Sequence, residues 1–184
     1  RDADAGVQLR AARRLDRENL PGLRGEVNRA GQFFRGSVDV RDRMAAERAG
    51  LLCKAERSRL WLLMPGDKLR AMDQYGSSLG DADELPLRRT SVVGRAILDC
   101  RLLHVDDIVP LIETEYPDLR ELQARLGFRT VLAVPMLRDG QPIGVISLVC
   151  RQVQPFAEAE VNLVRTFADQ AVIAIENTRL FNET

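Results

Sequence analysis

The sequence predicts an α+β fold, with a central, mostly antiparallel sheet, terminal helices on one face, and short helices and loops over a pocket on the other. Three observations predict it. Apolar runs at 130–137 and 143–149 flank Asp139-Gly140, the residue pair suited to a two-residue hairpin turn. Downstream, apolar residues recur at 161, 164, 168, 171 and 175, the spacing of a helix that must cover a surface. Upstream lie shorter apolar runs near 58–64, 68–75 and 102–105, separated by polar turns.

Taken in order, residues 1–36 stand apart as a helical or linker segment ahead of a domain spanning 37–184. They hold eight Arg against five acidic residues and are broken by Pro21, Gly22, Gly25, Gly31 and Gly36. Val7, Leu9, Ala12 and Leu15 predict a short helix that Pro21-Gly22 interrupts, and Val27, Ala30 and Phe34 predict another. The arginines read as a solvated helix face; contact with an anionic partner would want aromatic interleaving, which this segment lacks.

Val40, Met44, Leu51 and Leu52 follow a helical period that C-K-A-E-R closes. The run S-R-L-W-L-L-M at 58–64 reads as a central strand, Pro65-Gly66-Asp67 as a turn, and 68–75 as its antiparallel partner. Residues 76–84 read as a polar loop. A brief helix at 91–98 has Ser91 as N-cap, a short strand occupies 102–105, and a further helix at 118–126 ends on Gly127. After the hairpin, a long helix runs from about 157 to 181. Pro135 removes a ladder donor and so belongs at a sheet edge or bulge. Gly144 reads first as a packing glycine and second as a place of ligand approach. Ala157 with Glu160 makes a capping box without its hydroxyl half.

Composition excludes several classes of function. Lys+Arg and Asp+Glu are equal at 27 each, so no global field draws the chain to nucleic acid or a membrane surface. No apolar run is long enough for membrane insertion. Cys53, Cys100 and Cys150 are odd in number and scattered, which favours a reducing compartment, the cytoplasm, over a disulfide framework. The chain starts at Arg1 without Met, as expected of a piece of a longer protein.

Catalytic equipment is sparse. His104 is the single histidine, and no Cys pair has metal-ligand spacing, so no metal site is expected. Asp106 and Asp107 could orient His104 as a base, but no nucleophile stands nearby. A strand-end histidine hydrogen-bonded to a neighbour is the plainer reading, with Asp106-Asp107 opening the next turn. Phosphate-loop and nucleophile-elbow patterns are absent.

Four stretches together resemble one family. They are E-R-S-R-L-W-L-L; S-V-V-G-R-A-I followed by H-V-D-D-I; T-V-L-A-V-P-M-L with G-x-x-I-G-V-I; and F-A-D-Q-A-V-I-A-I-E-N-T-R-L-F. In order and spacing they look like the GAF domains found upstream of bacterial histidine kinases and nucleotide cyclases, over about residues 38–181. The resemblance implies a GAF/PAS-like, non-catalytic sensor in a bacterial signal-transduction protein, such as a two-component system. It implies an unidentified small-molecule ligand in a pocket and a signalling helix leading to an effector domain. Candidate ligand-binding residues are Trp61, Leu63, Tyr75, Val93, Ile97, His104, Ile108, Tyr116, Phe128, Val131 and Ala133. The cofactor is unknown. Bilin attachment lacks its adjacent Cys-His pair, and only Phe156 and Glu160 resemble the cyclic-nucleotide pattern.

The stretch A-V-I-A-I at 171–175 is apolar all round the helix and needs a second cover. A homodimer supplies one, through Val164, Phe167, Ala171, Val172 and Ile175; an N-terminal helix of the same chain is the other candidate. Two further functional readings stay open. One is a dimerisation or linker scaffold whose pocket is filled. The other is a thiol-dependent methionine sulfoxide reductase, which some members of the family are.

Overall fold

The computed structural model describes residues 44–75 and 84–182. Helix α1 (Met44–Leu52) leads into the hairpin of β1 (Arg57–Met64) and β2 (Lys68–Tyr75). Then come β3 (Glu84–Pro86), α2 (Val92–Asp99), β4 (Leu103–Val105), 3₁₀ turns at Val109–Leu111 and Pro117–Leu119, and α3 (Arg120–Leu126). A second hairpin, β5 (Thr130–Arg138) and β6 (Gln141–Cys150), passes the chain to α4 (Glu158–Asn182). The six strands form one sheet in the order β3-β2-β1-β6-β5-β4, with every pairing antiparallel. The helices expected within residues 1–36, and Val40, lie outside the described residues.

Local chemistry accounts for the turns. Asp139 and Gly140 both take positive φ, 48° and 77°, and join Arg138 to its partner Gln141. That is the backbone twist a right-handed hairpin needs. Pro135 lies beyond the last β4 pairing, Leu103 with Ala133, and one residue before the irregularity at Met136/Leu137. Its missing N–H therefore falls on a locally unpaired edge. Gly144 is a close-approach position: a Cβ there would sit 2.3 Å from the Trp61 carbonyl oxygen and 2.3 Å from Met136 Cε.

Alternation along the strands creates two layers. Leu60, Leu62, Leu132, Ile146 and Leu148 point to the face covered by α1 and α4, where they meet Ala49, Cys53, Val164, Phe167, Ala168, Ala171, Val172 and Ile175. An Arg138–Glu176 ion pair at 3.0 Å ties α4 to the hairpin. On the other face Trp61, Leu63, Val131, Ala133 and Val145 meet α2, the 3₁₀ turns and α3.

Three expectations need correction. Val164, Phe167, Ala171, Val172 and Ile175, expected to form a dimer interface, are buried against the sheet of their own chain. Among the described residues of this helix, Ile173 and Leu180 are the large apolar side chains that are exposed. Ala49 on α1 and Cys53 just past its end are buried, while Leu51 and Leu52 are exposed. Finally, part of the expected polar loop is a sixth strand, β3, which pairs with Lys68–Arg70. Its Glu84 binds Arg70 at 2.6 Å and Lys68 at 3.7 Å, an anchor that three residues ending in proline do not advertise.

Candidate functional site

A cavity of about 380 Å³ lies between the sheet and the layer of short helices. Its floor is the inner face of β1, β5 and β6. Trp61, Arg59 and Arg57 recur at every second position of β1, so all three share that face. Ser147 stands opposite Arg59 in the sheet and accepts a hydrogen bond from Trp61 Nε1 at 3.2 Å. The Arg59 guanidinium lies over the Trp61 ring, 4.7 Å from its centroid. Val131, Val149 and Phe128 complete the apolar floor.

The lid begins at α2. Ser91 caps it, its Oγ accepting from Gly94 N–H at 3.2 Å, and carries Val92 and Val93 to the cavity wall. Glycine at 94 lets the helix approach the preceding turn: a Cβ there would meet the Arg88 carbonyl oxygen at 2.1 Å. A clamp in the lid is built on Arg95. It donates to Glu115 Oε2 at 2.8 Å, to the Glu115 carbonyl at 3.0 Å and to the Arg89 carbonyl at 3.0 Å, and its guanidinium covers the Tyr116 ring. Leu119, Leu122, Arg125 and Leu126, from the second 3₁₀ turn and α3, close the far side. Gly127, at φ 71°, ends α3 as expected, its N–H donating to the Gln123 carbonyl at 2.7 Å.

Of the candidate residues, Trp61, Val93, Phe128 and Val131 line the cavity. Leu63, Ile97, Ile108, Tyr116 and Ala133 belong to the same apolar layer but pack beside the cavity as core. Tyr75 ends β2 opposite Ser58, and its side chain lies outside the described residues. His104 is a correction. Leu103 and Val105 face the cavity layer, so the residue between them points to the opposite face. There its Nε2 accepts a hydrogen bond from Phe156 N–H at 3.1 Å, and the two rings lie 5.7 Å apart. Burial lowers its pKa, against the attraction of Asp106 and Glu160, which favours the neutral acceptor. Asp107 opens the next turn as read. Its carboxylate accepts from Arg129 Nε at 2.7 Å and from Val109 N–H at 3.2 Å, and the Arg129 hydrogen bond holds its pKa down.

Arg57, Arg59, Arg88 and Arg125 were not among the candidates, yet all four line the cavity, together with Asp118 and Glu121. The signal was available on β1, where period two puts any residue two before Trp61 on Trp61's own face. None of the three cysteines lines the cavity. Cys53 and Cys150 are buried in the opposite layer, and Cys100 ends α2 at φ 50°. Burial pushes the Cys53 thiol up to about 11 and raises the other two as well. Among the described residues, no group of three His, Cys, Asp or Glu side chains could hold a metal, and no helix is long and apolar enough to cross a membrane.

The model of the GAF domain family matches residues 43–175. The chain belongs to the GAF family. Solved GAF structures share the fold across nearly their whole length. The GAF domain of an Acinetobacter phosphoenolpyruvate-protein phosphotransferase superposes with a TM-score of 0.65 at 18% identity, covering 90% of this chain and 97% of that one. The GAF-B domain of DevS from Mycobacterium smegmatis gives 0.60 at 19% identity, covering 77% and 94%. A free methionine-R-sulfoxide reductase from Neisseria meningitidis, solved with its substrate, gives 0.65 at 17% identity, covering 83% and 87%. The sequence has no match among curated proteins. At these identities the likeness to this GAF chain is one of fold alone.

Proposed function

We propose that this GAF domain is a non-catalytic small-molecule sensor in a bacterial signal-transduction protein of the two-component kind. The observation that carries the reading is the cavity. About 380 Å³ with apolar walls and a few convergent polar groups is the size and character of a small-ligand site. A scaffold would have filled the space with side chains. A ligand that prefers one arrangement of lid and sheet shifts the population of that arrangement. Helix α4 then carries the shift toward an effector domain in the longer protein, in a homodimer and in the cytoplasm.

Native mass spectrometry of protein purified from its own host tests the reading. A retained small molecule is expected, and Val93→Phe, which narrows the cavity at the lid, should lose it while keeping a cooperative melt. An empty native protein that stays unliganded against a metabolite extract would return the scaffold reading.

A sulfoxide reductase is the second reading, favoured by the fold of the Neisseria enzyme. Thiol chemistry of that kind needs an accessible thiolate with a resolving partner. Here all three thiols are raised and stand outside the cavity lining. Turnover of free methionine sulfoxide that survives replacement of all three cysteines by serine would reopen enzymology on other grounds. Turnover lost with them would establish the reductase.

A further inference from the structure

We infer that the cavity takes an uncharged, largely apolar ring compound carrying a hydrogen-bond-accepting oxygen, and that Ser147 receives that oxygen. The inference rests on the sensor reading and names the chemistry of its ligand.

Period two along β6 puts Val145, Ser147 and Val149 on one face, the face turned to the cavity layer. A serine thus stands in a row of apolar side chains. It pairs with Ala133 on one side and Arg59 on the other, and it lines the cavity. Its oxygen accepts from Trp61 Nε1 at 3.2 Å, and among the described residues its own O–H meets no acceptor. The other polar groups of the lining are placed differently. Ser91 donates to the Arg88 carbonyl at 3.3 Å, and Asp118 accepts from Thr90 Oγ1 at 2.7 Å. Arg57, Ser58, Arg59 and Arg125 have partners of their own, and Glu121 is exposed. Ser147 therefore offers a ligand a donor whose use breaks no contact already made. A neutral ligand also leaves the charges around it as they are.

Two effects make this position selective. The Trp61 N–H bound to Oγ polarises the hydroxyl and strengthens the bond its proton can make. A molecule filling the cavity also displaces water from that proton. Without an acceptor it strands the O–H beside Val131, Val149 and Phe128, and a stranded donor costs more than the same bond gains when made. The walls specify the rest of the ligand. Trp61 and Phe128 set aromatic side chains in the lining, partners suited to a flat ring, with Val93 and Leu122 on the lid side. About 380 Å³ is room for a fused bicyclic of naphthalene size.

Prodan, 6-propionyl-2-(dimethylamino)naphthalene, is an uncharged bicyclic ketone that accepts energy from tryptophan. Trp61 is the single tryptophan of the chain, so saturable energy transfer to prodan reports its seating in this cavity. Three competitors then separate the contributions. In 2-acetonaphthone and 2-isopropenylnaphthalene the same shape carries C=O or C=CH₂, and 2-naphthoate adds a charge. The ketone should displace prodan from the full chain better than the naphthoate. Ser147→Ala should weaken the ketone about fivefold and leave the hydrocarbon no weaker, and Ser147→Thr, which keeps the hydroxyl, should retain the ketone. The carbonyl stretch of 2-acetonaphthone bound to the parent should lie below its position in hexane, which keeps the test open if the variants fail to fold. A ketone that binds Ser147→Ala as it binds the parent, an unmoved carbonyl band, or naphthoate as the best competitor overturns the inference. So does prodan that fails to bind. The sensor reading is decided apart from these, by the native mass spectrum: a retained molecule upholds it even where every probe fails.

Discussion

Single residues decide how tightly the two layers of this domain close on the sheet. At Gly144 the neighbour a methyl group would strike is the backbone oxygen of Trp61, which cannot rotate away. Gly144→Ala should therefore destabilise the domain by about 1–3 kcal/mol, read from denaturant midpoints. The register shows why glycine there is a packing residue: it pairs with Leu62 on one side and Met136 on the other. His104 behaves differently, because its role depends on protonation. Its pKa is lowered in the fold, so the unfolded chain takes up the proton first as pH drops below the ordinary 6.5. Stability is thus full above that value and declines as pH falls toward the folded pKa, where Phe156 N–H loses its acceptor. The melting temperature should drop between pH 7.5 and 5.5 by more in the parent than in His104→Gln, and parallel curves would remove His104 from the account. Its orientation was legible in the sequence. The flanking Leu103 and Val105 assign it to the face opposite the cavity.

At the scale of elements, the sequence was most informative where geometry is local. Ser91, Gly127 and the Asp139-Gly140 turn all act within a few residues of themselves, and the fold places each as read. The half-built capping box on α4 is equally local. Glu160 Oε1 accepts from Ala157 N–H at 3.0 Å, while Ala157 has no side-chain oxygen to return to the first turn. Ala157→Ser should stabilise the domain by about 1 kcal/mol, and an unchanged melting temperature would refute that. Elements defined by distant partners were harder to read. Strand β3 depends on its pairing with Lys68–Arg70, some fifteen residues away, which Glu84 supports through Arg70 and Lys68. The buried face of α1 was misassigned for a related reason. Small Ala49 and Cys53 pack in the layer that holds Leu60 and Leu62 of β1, and bulkier Leu51 and Leu52 turn outward. Hydrophobicity alone ranks those four residues the other way round.

For the whole molecule, periodicity revealed one sheet between two unlike layers, because a period of two survives in the long strands and one of 3.6 in the long last helix. It did not reveal which apolar residues line empty space and which fill it. Leu63 and Trp61 share a strand face, yet only Trp61 borders the cavity; that difference depends on the positions of α2 and α3 above them. A dimer, as proposed, would have to use a different surface for a similar reason. With the inner face of α4 committed to the sheet, Ile173 and Leu180 remain outside, seven residues apart, with Thr166 seven before. Such a spacing matches one position of a heptad seam. Ile173→Glu should shift the domain toward monomer in sedimentation velocity, whereas Val164→Ala should lower stability and leave association alone. The opposite pattern would return the interface to the inner face.

One buried hydroxyl joins parts of the chain that serve different ends. Thr130 Oγ1 lies 2.7 Å from the Asp106 carbonyl and 3.2 Å from that of Gln152, and it accepts from Gln154 N–H at 2.9 Å. Residue 106 is where the chain departs to build the roof of the cavity; residues 152–154 are where it turns toward the exit helix. A rearranging roof can therefore pull on the exit by way of the sheet's rim, without deforming the strands between. If the domain senses a ligand as proposed, losing the hydroxyl in Thr130→Val would cut that shorter route and leave any coupling to run through the middle of the sheet.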